Sequence, residues 1–358
     1  MNDPQPGRDG SPGRPRILLV KLSAVGDVVH ALPALHALRT HLPHAHIGWV
    51  AHPGPANLLE GHPELDELIL LPRRPRQYGG LAGFARLVKT LRSQGAGWDW
   101  AIDLQGLTKS GLVALISGAR QRVGFAGKAS RELNGMLMNY HVQPTARQVV
   151  RMNIELLQPL GVPTDAPAVA MLPVHHDDAA YITAWQASSD IVGERFLVLD
   201  PFAGWETKLW PVQHWIDLAA AVREKTGLRS LVFYGPDEHS RAAQLTERIP
   251  GAIMAPETTL RQYVALLRQC AGAMVAGDTG PMHIAAACGV PGVALYGPSD
   301  KDRNSPCFEN ARFIALQDEA HPYARTFRRR YPDGYTGPGC MDSLTPDRVM
   351  EKLAHLLS

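Results

Sequence analysis

Short apolar runs alternate along the chain with amphipathic stretches of helical length. In the first half, the apolar runs predict strands at 17–20, 47–50, 68–71, 100–104 and 136–142. Helical spacing predicts helices between them, at 28–41, 81–93, 107–117 and 147–160. Short, nearly continuous apolar strands that alternate with helices are typical of a parallel sheet covered on both faces.

The same alternation restarts after a segment without a clear period. Residues 162–174 are rich in Pro and Ala and are predicted to be a linker. Beyond it, strands are predicted at 196–199, 231–234, 252–254, 273–276 and 293–296, with helices at 211–226, 238–249, 260–270, 281–288 and 346–357. We therefore expect two successive doubly wound α/β units, whose ligands bind at loops beyond the carboxyl ends of the strands.

Length and composition agree with two globular domains. The chain has 358 residues, 45% of them hydrophobic, and at roughly 100–200 residues per domain this length favours two. Lys plus Arg is 36 and Asp plus Glu is 34, a net charge of +2, which argues against a nucleic-acid-binding protein. Residues 1–15 are rich in Pro, Gly and Arg and are expected to be a disordered tail.

Neither a membrane span nor a secretory signal is expected. The apolar run at 17–20 is too short for a signal peptide, and no stretch approaches the ~20 apolar residues of a membrane span. The cysteines are scattered without a C-x-x-C pair or paired His spacing, which argues against a disulfide framework and structural zinc. The sequence therefore predicts a cytoplasmic protein that is soluble or at most peripheral on a membrane.

A first candidate site is the segment KLSAVGDVVH at 21–30, where a predicted strand gives way to a helix. Gly26 and Asp27 lie at the position where a doubly wound fold presents functional groups. The alternative is structural, with Asp27 as a helix N-cap and Gly26 as a turn residue. The spacing alone leaves both interpretations open.

A second candidate is FAGWETKLWP at 202–211, directly after the first strand of the second unit. Thr207 and Lys208 stand before Pro211, a residue typical of a helix start. A lysine beside a helix N-terminus is unfavourable for the helix itself, because that end of the dipole is positive. The lysine is explained if an anion binds there; the alternative is a solvated surface lysine.

The strongest candidate is AGDTGPMHIAAACGVP at 276–291, where a predicted strand ends in Asp278, Thr279 and Gly280 before a helix that begins at Pro281. The backbone N–H groups of a Gly-rich helix start form a cradle for a diphosphate. An ordinary Asp or Thr cap is the alternative, but a cap does not explain the two neighbouring glycines. Asp300 and Asp302 have the D-x-D spacing of a cation site, yet the intervening Lys301 favours a solvated loop, and no metal site is predicted.

Taken together, these motifs resemble those of glycosyltransferase family 9, the ADP-heptose:lipopolysaccharide heptosyltransferases. The resemblance covers nearly the whole chain from Arg16 and is most specific in VKLSAVGDVVHALPAL, in W-x-x-K-x-W-P and in GDTGPMHIAAACGVPGVALYGPSD. Two further segments, DLQGLTKSG and ASRELNGMLMNY, look more like heptosyltransferase I, which adds the first heptose to Kdo-lipid A, than like heptosyltransferase II.

The resemblance implies a GT-B fold, in which two Rossmann-like doubly wound domains face a cleft. Residues 16–174 would be the acceptor domain, 175–343 the nucleotide-sugar domain, and 344–358 a helix that crosses back to the first domain. It also implies an inverting reaction without a metal or other cofactor, with ADP-heptose as donor. The acceptor would be an anionic glycolipid, Kdo-lipid A, met at the cytoplasmic face of the inner membrane.

The resemblance assigns roles to the candidate residues one by one. Asp27 matches the catalytic base, and Lys208, with Thr207 beside it, matches the lysine that binds donor phosphate. Further donor contacts are implied for Asp278, Thr279, Gly280, His283, Glu238 and Met254. A one-residue gap leaves Asp237 open in place of Glu238. His283 can equally be a helix-face histidine, and Met254 a core residue.

Basic residues of the first domain correspond to positions that contact the anionic acceptor in the family. They are Lys21, Arg73, Arg74, Arg76, Lys109 and Arg131, to which the first loop adds Ser23 and Gly26. Individually each can be a solvated charge. Two other functions stay open at this point: a family member with a different nucleotide sugar or acceptor, and a non-catalytic nucleotide-binding module that docks on a membrane.

Overall fold

The computed structural model describes residues 14–73, 80–92 and 97–357. The chain divides into two compact units, Met1–Met171 and Leu172–Ser358, close to the predicted boundary at 174. Nearly all of the predicted tail, together with Arg74 and Arg76, lies outside the described residues.

The first unit is built on a six-stranded parallel sheet in the order β3-β2-β1-β4-β5-β6. Its strands are β1 Arg16–Val20, β2 His46–Ala51, β3 Glu67–Leu70, β4 Trp100–Asp103, β5 Gln121–Phe125 and β6 Tyr140–Val142. Its helices are α1 Val25–Val29, α2 Leu32–His41, α3 Pro53–Ala56, α4 Gly80–Leu91, α5 Thr108–Ile116, α6 Asn134–Leu137 and α7 Val149–Glu155.

The second unit has a parallel sheet in the order β12-β11-β10-β7-β8-β9. Its strands are β7 Phe196–Asp200, β8 Arg229–Val232, β9 Ile253–Met254, β10 Ala271–Gly277, β11 Pro291–Tyr296 and β12 Arg312–Gln317. Its helices are α8 His176–Ser188, α9 Val212–Thr226, α10 His239–Arg248, α11 Leu260–Cys270, α12 Gly280–Ala287, α13 Lys301–Asn304 and α14 Pro346–Leu357.

The two sheets have the same topology. Counted from the first strand of each unit, both follow the Rossmann order 3-2-1-4-5-6. The order reverses between β1 and β4 in the first unit and between β7 and β10 in the second. These two switch points are where open α/β sheets bind ligands, and the predicted α/β class with two Rossmann-like units is confirmed.

The core of the second unit includes its last helix. Val349, Met350 and Leu353 of α14 are buried in one cluster with Trp215 of α9, and α14 packs against α9, β11 and β12. The indole N–H of Trp210 donates to the Leu344 carbonyl just before this helix (2.7 Å). The structure therefore assigns α14 to the second unit, and its return to the first domain stays a prediction.

Several element predictions were wrong in detail. The predicted helix 28–41 is two helices that begin at Val25 and Leu32, because Pro33 cannot donate a backbone N–H and starts a new helix. The predicted strand 136–142 holds the end of α6 and the short strand β6. Strands β5 and β12 were not predicted. Two polar residues begin β5 and shorten its apolar run to three residues, whereas the apolar run of β12 at 313–316 was missed. Helix α8 occupies the polar segment after the linker.

Candidate active site

Lys21 and Asp27 lie together at the switch point of the first sheet. Lys21 directly follows β1, is 3% exposed, and donates from Nζ to the Leu104 carbonyl beyond β4 (2.7 Å). The same ammonium lies 3.9 Å from Asp27 Oδ1. Lys21 is therefore a buried cation paired with Asp27, whereas the sequence placed it among the basic residues of the surface loops.

One carboxylate oxygen of Asp27 accepts a hydrogen bond from the backbone. It is the third residue of α1, not the N-cap, and its Oδ2 accepts the amide N–H of the N-cap Ala24 (3.0 Å). The side chain is 42% exposed, and Oδ1 lies beside the Lys21 ammonium. The structural and the functional interpretations of Asp27 are thus compatible, since each uses a different oxygen.

Two side chains that the sequence did not single out hold this loop in place. Gln105 Oε1 accepts the amide N–H groups of Leu22 (3.1 Å) and Ser23 (3.3 Å). Asp103, fully buried at the end of β4, accepts four hydrogen bonds, from the Gln105 and Gly106 amides and from the Ser110 and Asn134 side chains. Burial raises the pKa of Asp103, and these hydrogen bonds oppose the rise.

Lys109 and Arg73 lie near a histidine of the first unit, His52, that the sequence analysis did not single out. His52 is 3% exposed after β2; its Nδ1–H donates to the Leu71 carbonyl (2.7 Å), and its Nε2 accepts from Lys109 Nζ (2.9 Å). Burial, Lys109 and Arg73 lower the pKa of His52. Burial and Arg73 also lower the pKa of Lys109, so the two predicted acceptor cations are close enough to repel each other.

We expect the His52→Gln variant to lose about 1–3 kcal/mol of stability at pH 8, because it leaves buried partners unsatisfied. Because the pKa of His52 is lowered in the folded protein, the unfolded chain binds more protons below the ordinary pKa of 6.5, and wild-type stability falls as the pH drops through that value. Urea unfolding at pH 8 and pH 5.5 should show a smaller fall in the variant. The exposed His44→Gln is the control, and equal pH dependence in His52→Gln and wild type would contradict the assignment.

The remaining predicted acceptor residues are spread over the same edge of the first sheet. Ser23 is half-buried, Gly26 lies within the first turn of α1, and Arg131 is exposed, with its amide N–H donating to the Gly106 carbonyl (3.1 Å). Arg74 and Arg76 lie outside the described residues.

In the second unit, the predicted donor residues Lys208, Asp278 and His283 form one cluster. Lys208 Nζ donates to Asp278 Oδ2 (2.7 Å) and to the Asp278 carbonyl (2.7 Å). His283 Nε2 lies 3.3 Å from Asp278 Oδ1 and donates to it. All three side chains are largely buried, and the two basic partners hold the pKa of Asp278 far below its usual range despite burial.

The side chain of Thr279 bonds to a buried carboxyl and does not cap its own helix. Its Oγ1 lies 2.6 Å from Oδ2 of Asp200, the last residue of β7, which is 3% exposed. Burial first, and then the negative charge of Glu238, raise the pKa of Asp200 to about 7. The predicted strand 196–199 ended one residue before Asp200, so the sequence analysis did not consider this carboxyl.

Thr207 and Lys208 sit in a 3₁₀ turn, Glu206–Lys208, next to a basic run made of Arg325, Arg328, Arg329 and Arg330. The fully buried Thr207 donates its hydroxyl to the Arg328 carbonyl.

The aromatic ring of Trp205 stacks with two cations of this region. It lies beneath both Lys208 Nζ (4.7 Å) and the Arg329 guanidinium (5.1 Å). A Cβ on Gly297 would come within 2.6 Å of the Thr207 carbonyl, so only glycine allows this approach. The basic run therefore borders the lysine of the donor cluster.

Glu238 and Met254 lie on the other side of β7. Glu238 is half-buried and accepts the Gly235 amide N–H at Oε2 (2.7 Å), whereas Asp237 is exposed. The effect of Glu238 on Asp200 places it near the switch point, which favours Glu238 over Asp237 as the acidic residue of this loop. Met254 ends the edge strand β9 and packs partly against the core.

The two carboxylates of the D-x-D segment form ion pairs with Arg325. Asp302 Oδ2 accepts from Arg325 Nη2 (2.8 Å), and Asp300 lies 3.8 Å from the same guanidinium. Asp300 is 8% exposed, so the predicted solvated loop is wrong for that residue. Within 14–73, 80–92 and 97–357, no group of three or more His, Cys, Asp or Glu side chains is arranged to hold a metal ion.

Comparison with known proteins identifies the class to which this fold and site belong. Residues 84–330 match the family model of glycosyltransferase family 9 (heptosyltransferase). Lipopolysaccharide heptosyltransferase 1 of Pseudomonas aeruginosa is 30% identical over 299 residues, covering 80% of this chain and 79% of that protein. The chain belongs to glycosyltransferase family 9, and it is a glycosyltransferase.

Solved structures agree with the predicted GT-B fold. The family 9 glycosyl transferase from Veillonella parvula has a TM-score of 0.80 at 22% identity, covering 96% of this chain and 97% of that one. The ADP-heptose lps heptosyltransferase II of E. coli has a TM-score of 0.72 at 26% identity, covering 96% of this chain and 98% of that one. Within the described residues, no helix is both long and apolar enough to cross a membrane.

Proposed function

We propose that this protein transfers heptose from ADP-L-glycero-D-manno-heptose to the Kdo region of the lipopolysaccharide inner core. The observation that carries the proposal is the Lys208–Asp278 pair beside the start of α12, at the switch point of the second sheet. A lysine ammonium and the open N-terminus of a helix are both suited to bind a diphosphate. The names of the relatives, a heptosyltransferase 1 and an ADP-heptose heptosyltransferase, support heptose as the sugar.

Asp27 would act as general base. Its Oδ1, which does not bond to the Ala24 amide, takes the proton of the acceptor hydroxyl while the hydroxyl oxygen attacks the anomeric carbon of heptose. The bond from the anomeric carbon to the β-phosphate oxygen breaks, and ADP leaves with the electron pair. A single displacement of this kind inverts the configuration at the anomeric carbon.

Lys208 would stabilise the leaving ADP. An ammonium has three N–H donors, and two of them are used by Asp278 among the contacts that the structure describes. The third is suited to a phosphate oxygen, and its positive charge offsets the charge that grows on the diphosphate as the bond breaks. We propose that this charge, together with the amides at the start of α12, serves the reaction without a metal ion.

The acceptor would be bound by the cations of the first unit. Lys109 and Arg73 repel each other, and a bound carboxylate or phosphate relieves that repulsion. Because Kdo-lipid A carries both groups at a membrane surface, we propose that the protein acts peripherally at the cytoplasmic face of the inner membrane. The similar proteins include a heptosyltransferase 1 and a heptosyltransferase II. The assay therefore needs a second acceptor for comparison, one that already carries the first heptose.

The test is a transfer assay with purified protein and ADP-heptose. We expect ADP release with Kdo-lipid A, unchanged by EDTA, and less with the acceptor that already bears heptose. Faster turnover with the heptosylated acceptor would replace the first-heptose assignment, and loss of activity in EDTA would overturn metal independence. If ADP were released with neither acceptor, the proposed function would be overturned.

The choice of nucleotide can be tested without an acceptor. A ligand that binds only the folded protein raises its melting temperature. We expect a larger rise with ADP than with UDP or GDP at equal concentration. A larger rise with UDP would favour a family member that uses a different donor.

A further inference from the structure

Asp200 is a buried carboxyl that the mechanism above does not use. It ends β7, the central strand FLVLD whose five residues are all buried, and it pairs in register with Ala276 of β10. It therefore lies at the switch point itself, between the loop that carries Thr279 and the loop that carries Glu238.

The contact between Asp200 and Thr279 changes how α12 begins. Thr279 is the N-cap residue of this eight-residue helix, a position where a threonine hydroxyl ordinarily accepts an amide N–H of the first turn. Here the Thr279 side chain forms no such cap, and its Oγ1 lies instead 2.6 Å from Asp200 Oδ2. The first amides of α12 are thereby left without the cap that their own N-cap residue would provide.

We propose that Asp200 is a positioning residue of the donor site: it holds the Thr279 hydroxyl away from the α12 amides, so that these amides can receive the donor diphosphate. The inference rests on the proposed function, in which the segment 277–280 binds that diphosphate.

Asp200 performs this role in its neutral form. Burial and the charge of Glu238 raise its pKa to about 7, and a diphosphate bound beside Thr279 adds further negative charge that favours the protonated carboxyl. Tyr263 of α11 also faces Asp200, and burial and that carboxyl raise its pKa well above the usual value. Donor binding should therefore take up a proton at Asp200 and weaken as the pH rises above 7.

The experiment measures ADP binding by calorimetry at pH 6, 7 and 8.5 in the whole protein. The matched variants are Asp200→Asn, which keeps the shape and a hydrogen-bonding oxygen without charge, and Asp200→Ala, which removes both. ADP itself titrates, and charged groups of the donor cluster lie nearby, so the decisive quantity is the difference between wild type and Asp200→Asn.

We expect wild type and Asp200→Asn to bind ADP about equally at pH 6. At pH 8.5 wild type should bind roughly tenfold more weakly than Asp200→Asn, since one proton is linked to binding. Asp200→Ala should be weaker than Asp200→Asn at every pH, because nothing then diverts the Thr279 hydroxyl from the helix. Identical pH profiles for wild type and Asp200→Asn, or undiminished binding by Asp200→Ala, would overturn this inference alone.

A second pair of variants keeps the test decisive if Asp200→Ala does not fold. Thr279→Ser keeps the hydroxyl and should retain the wild-type pH profile. The isosteric Thr279→Val removes a hydrogen bond that lowers the pKa of Asp200, so its profile should shift to higher pH. The reverse, a shift in Thr279→Ser alone, would overturn the role of the hydroxyl. Absence of ADP binding by wild type would overturn the donor assignment and this inference with it.

A ligand-free measurement reports on the carboxyl itself. Because the folded protein holds the proton of Asp200 up to about pH 7, wild-type stability falls between the ordinary pKa of 3.8 and that pH. The melting temperature of Asp200→Asn should therefore exceed that of wild type by several degrees at pH 8 but not at pH 4. Equal differences at both values would contradict a neutral Asp200.

Discussion

Replacing Asp27 by Asn is expected to lower the rate of transfer by about 10²–10⁴-fold, the contribution typical of a general base. Asn is close in shape to Asp, and its side-chain oxygen can still accept the Ala24 amide N–H that Asp27 Oδ2 accepts now. Folding and ADP binding should therefore survive, with some loss of stability because the buried Lys21 charge loses the Asp27 carboxylate beside it, and the loss of activity should appear in kcat. The measurement is steady-state ADP release, with melting temperature and ADP affinity determined on the same preparations.

Two controls separate the base from the helix start. Asp347 is an exposed first-turn carboxylate of α14, and Asp347→Asn should leave kcat within twofold of wild type, about the scatter expected of a surface substitution. Asp27→Ala removes both oxygens and should add a stability loss of about 0.5–2 kcal/mol to the loss of rate. Wild-type turnover by Asp27→Asn would refute the assignment of Asp27 as the base.

The Lys208→Met variant should lose both turnover and about 3–5 kcal/mol of stability. Its ammonium donates to a carboxylate whose side chain is only 8% exposed, and removal leaves His283 as the remaining basic partner of Asp278 among the described residues. Urea unfolding reports the stability and ADP release the turnover. Replacing Lys301, whose pair with Glu319 is more exposed, should cost less than about 1 kcal/mol and serves as the control.

A double variant distinguishes the two roles of this lysine. In Lys208→Met with Asp278→Asn, the buried charge is gone, so most of the stability should return. Turnover should stay low, because no ammonium remains to offset charge on the leaving diphosphate. If turnover recovered together with stability, Lys208 would be structural, and the proposed leaving-group role would be abandoned.

The positions of most strands, and the two doubly wound units, followed from apolar runs, because central parallel strands are buried on both faces. The strand order and the switch points came only from the structure. β7 and β10 are apolar over nearly their whole length, and both were predicted. β5 was missed because it begins with the polar residues Gln121 and Arg122, which leave only three residues of apolar run. β12 was missed although 313–316 are all apolar, and its first four residues are exposed or only half-buried. Apolar runs therefore identify fully buried strands better than partly exposed ones.

Motif spacing singled out Asp27, Lys208 and the 278–280 loop as candidates, because each lies in the segment between a predicted strand and the next helix. It did not find His52 or Asp200, whose roles depend on partners distant in sequence. His52 bonds to Lys109, 57 residues away, and Asp200 to Thr279, 79 residues away. A single buried His or Asp has no local pattern, so only the folded sheet shows that it supports a loop.

The burial of α14 in the second core has a consequence for how the chain folds during synthesis. The first unit is complete at Met171, whereas the second needs Leu353 to close its core. At a translation rate of about 5–20 residues per second, roughly 10–40 s separate the two events. The last strand of the second unit ends at Gln317, so late in that interval its strands are all present while α14, which packs on β11 and β12, is still missing.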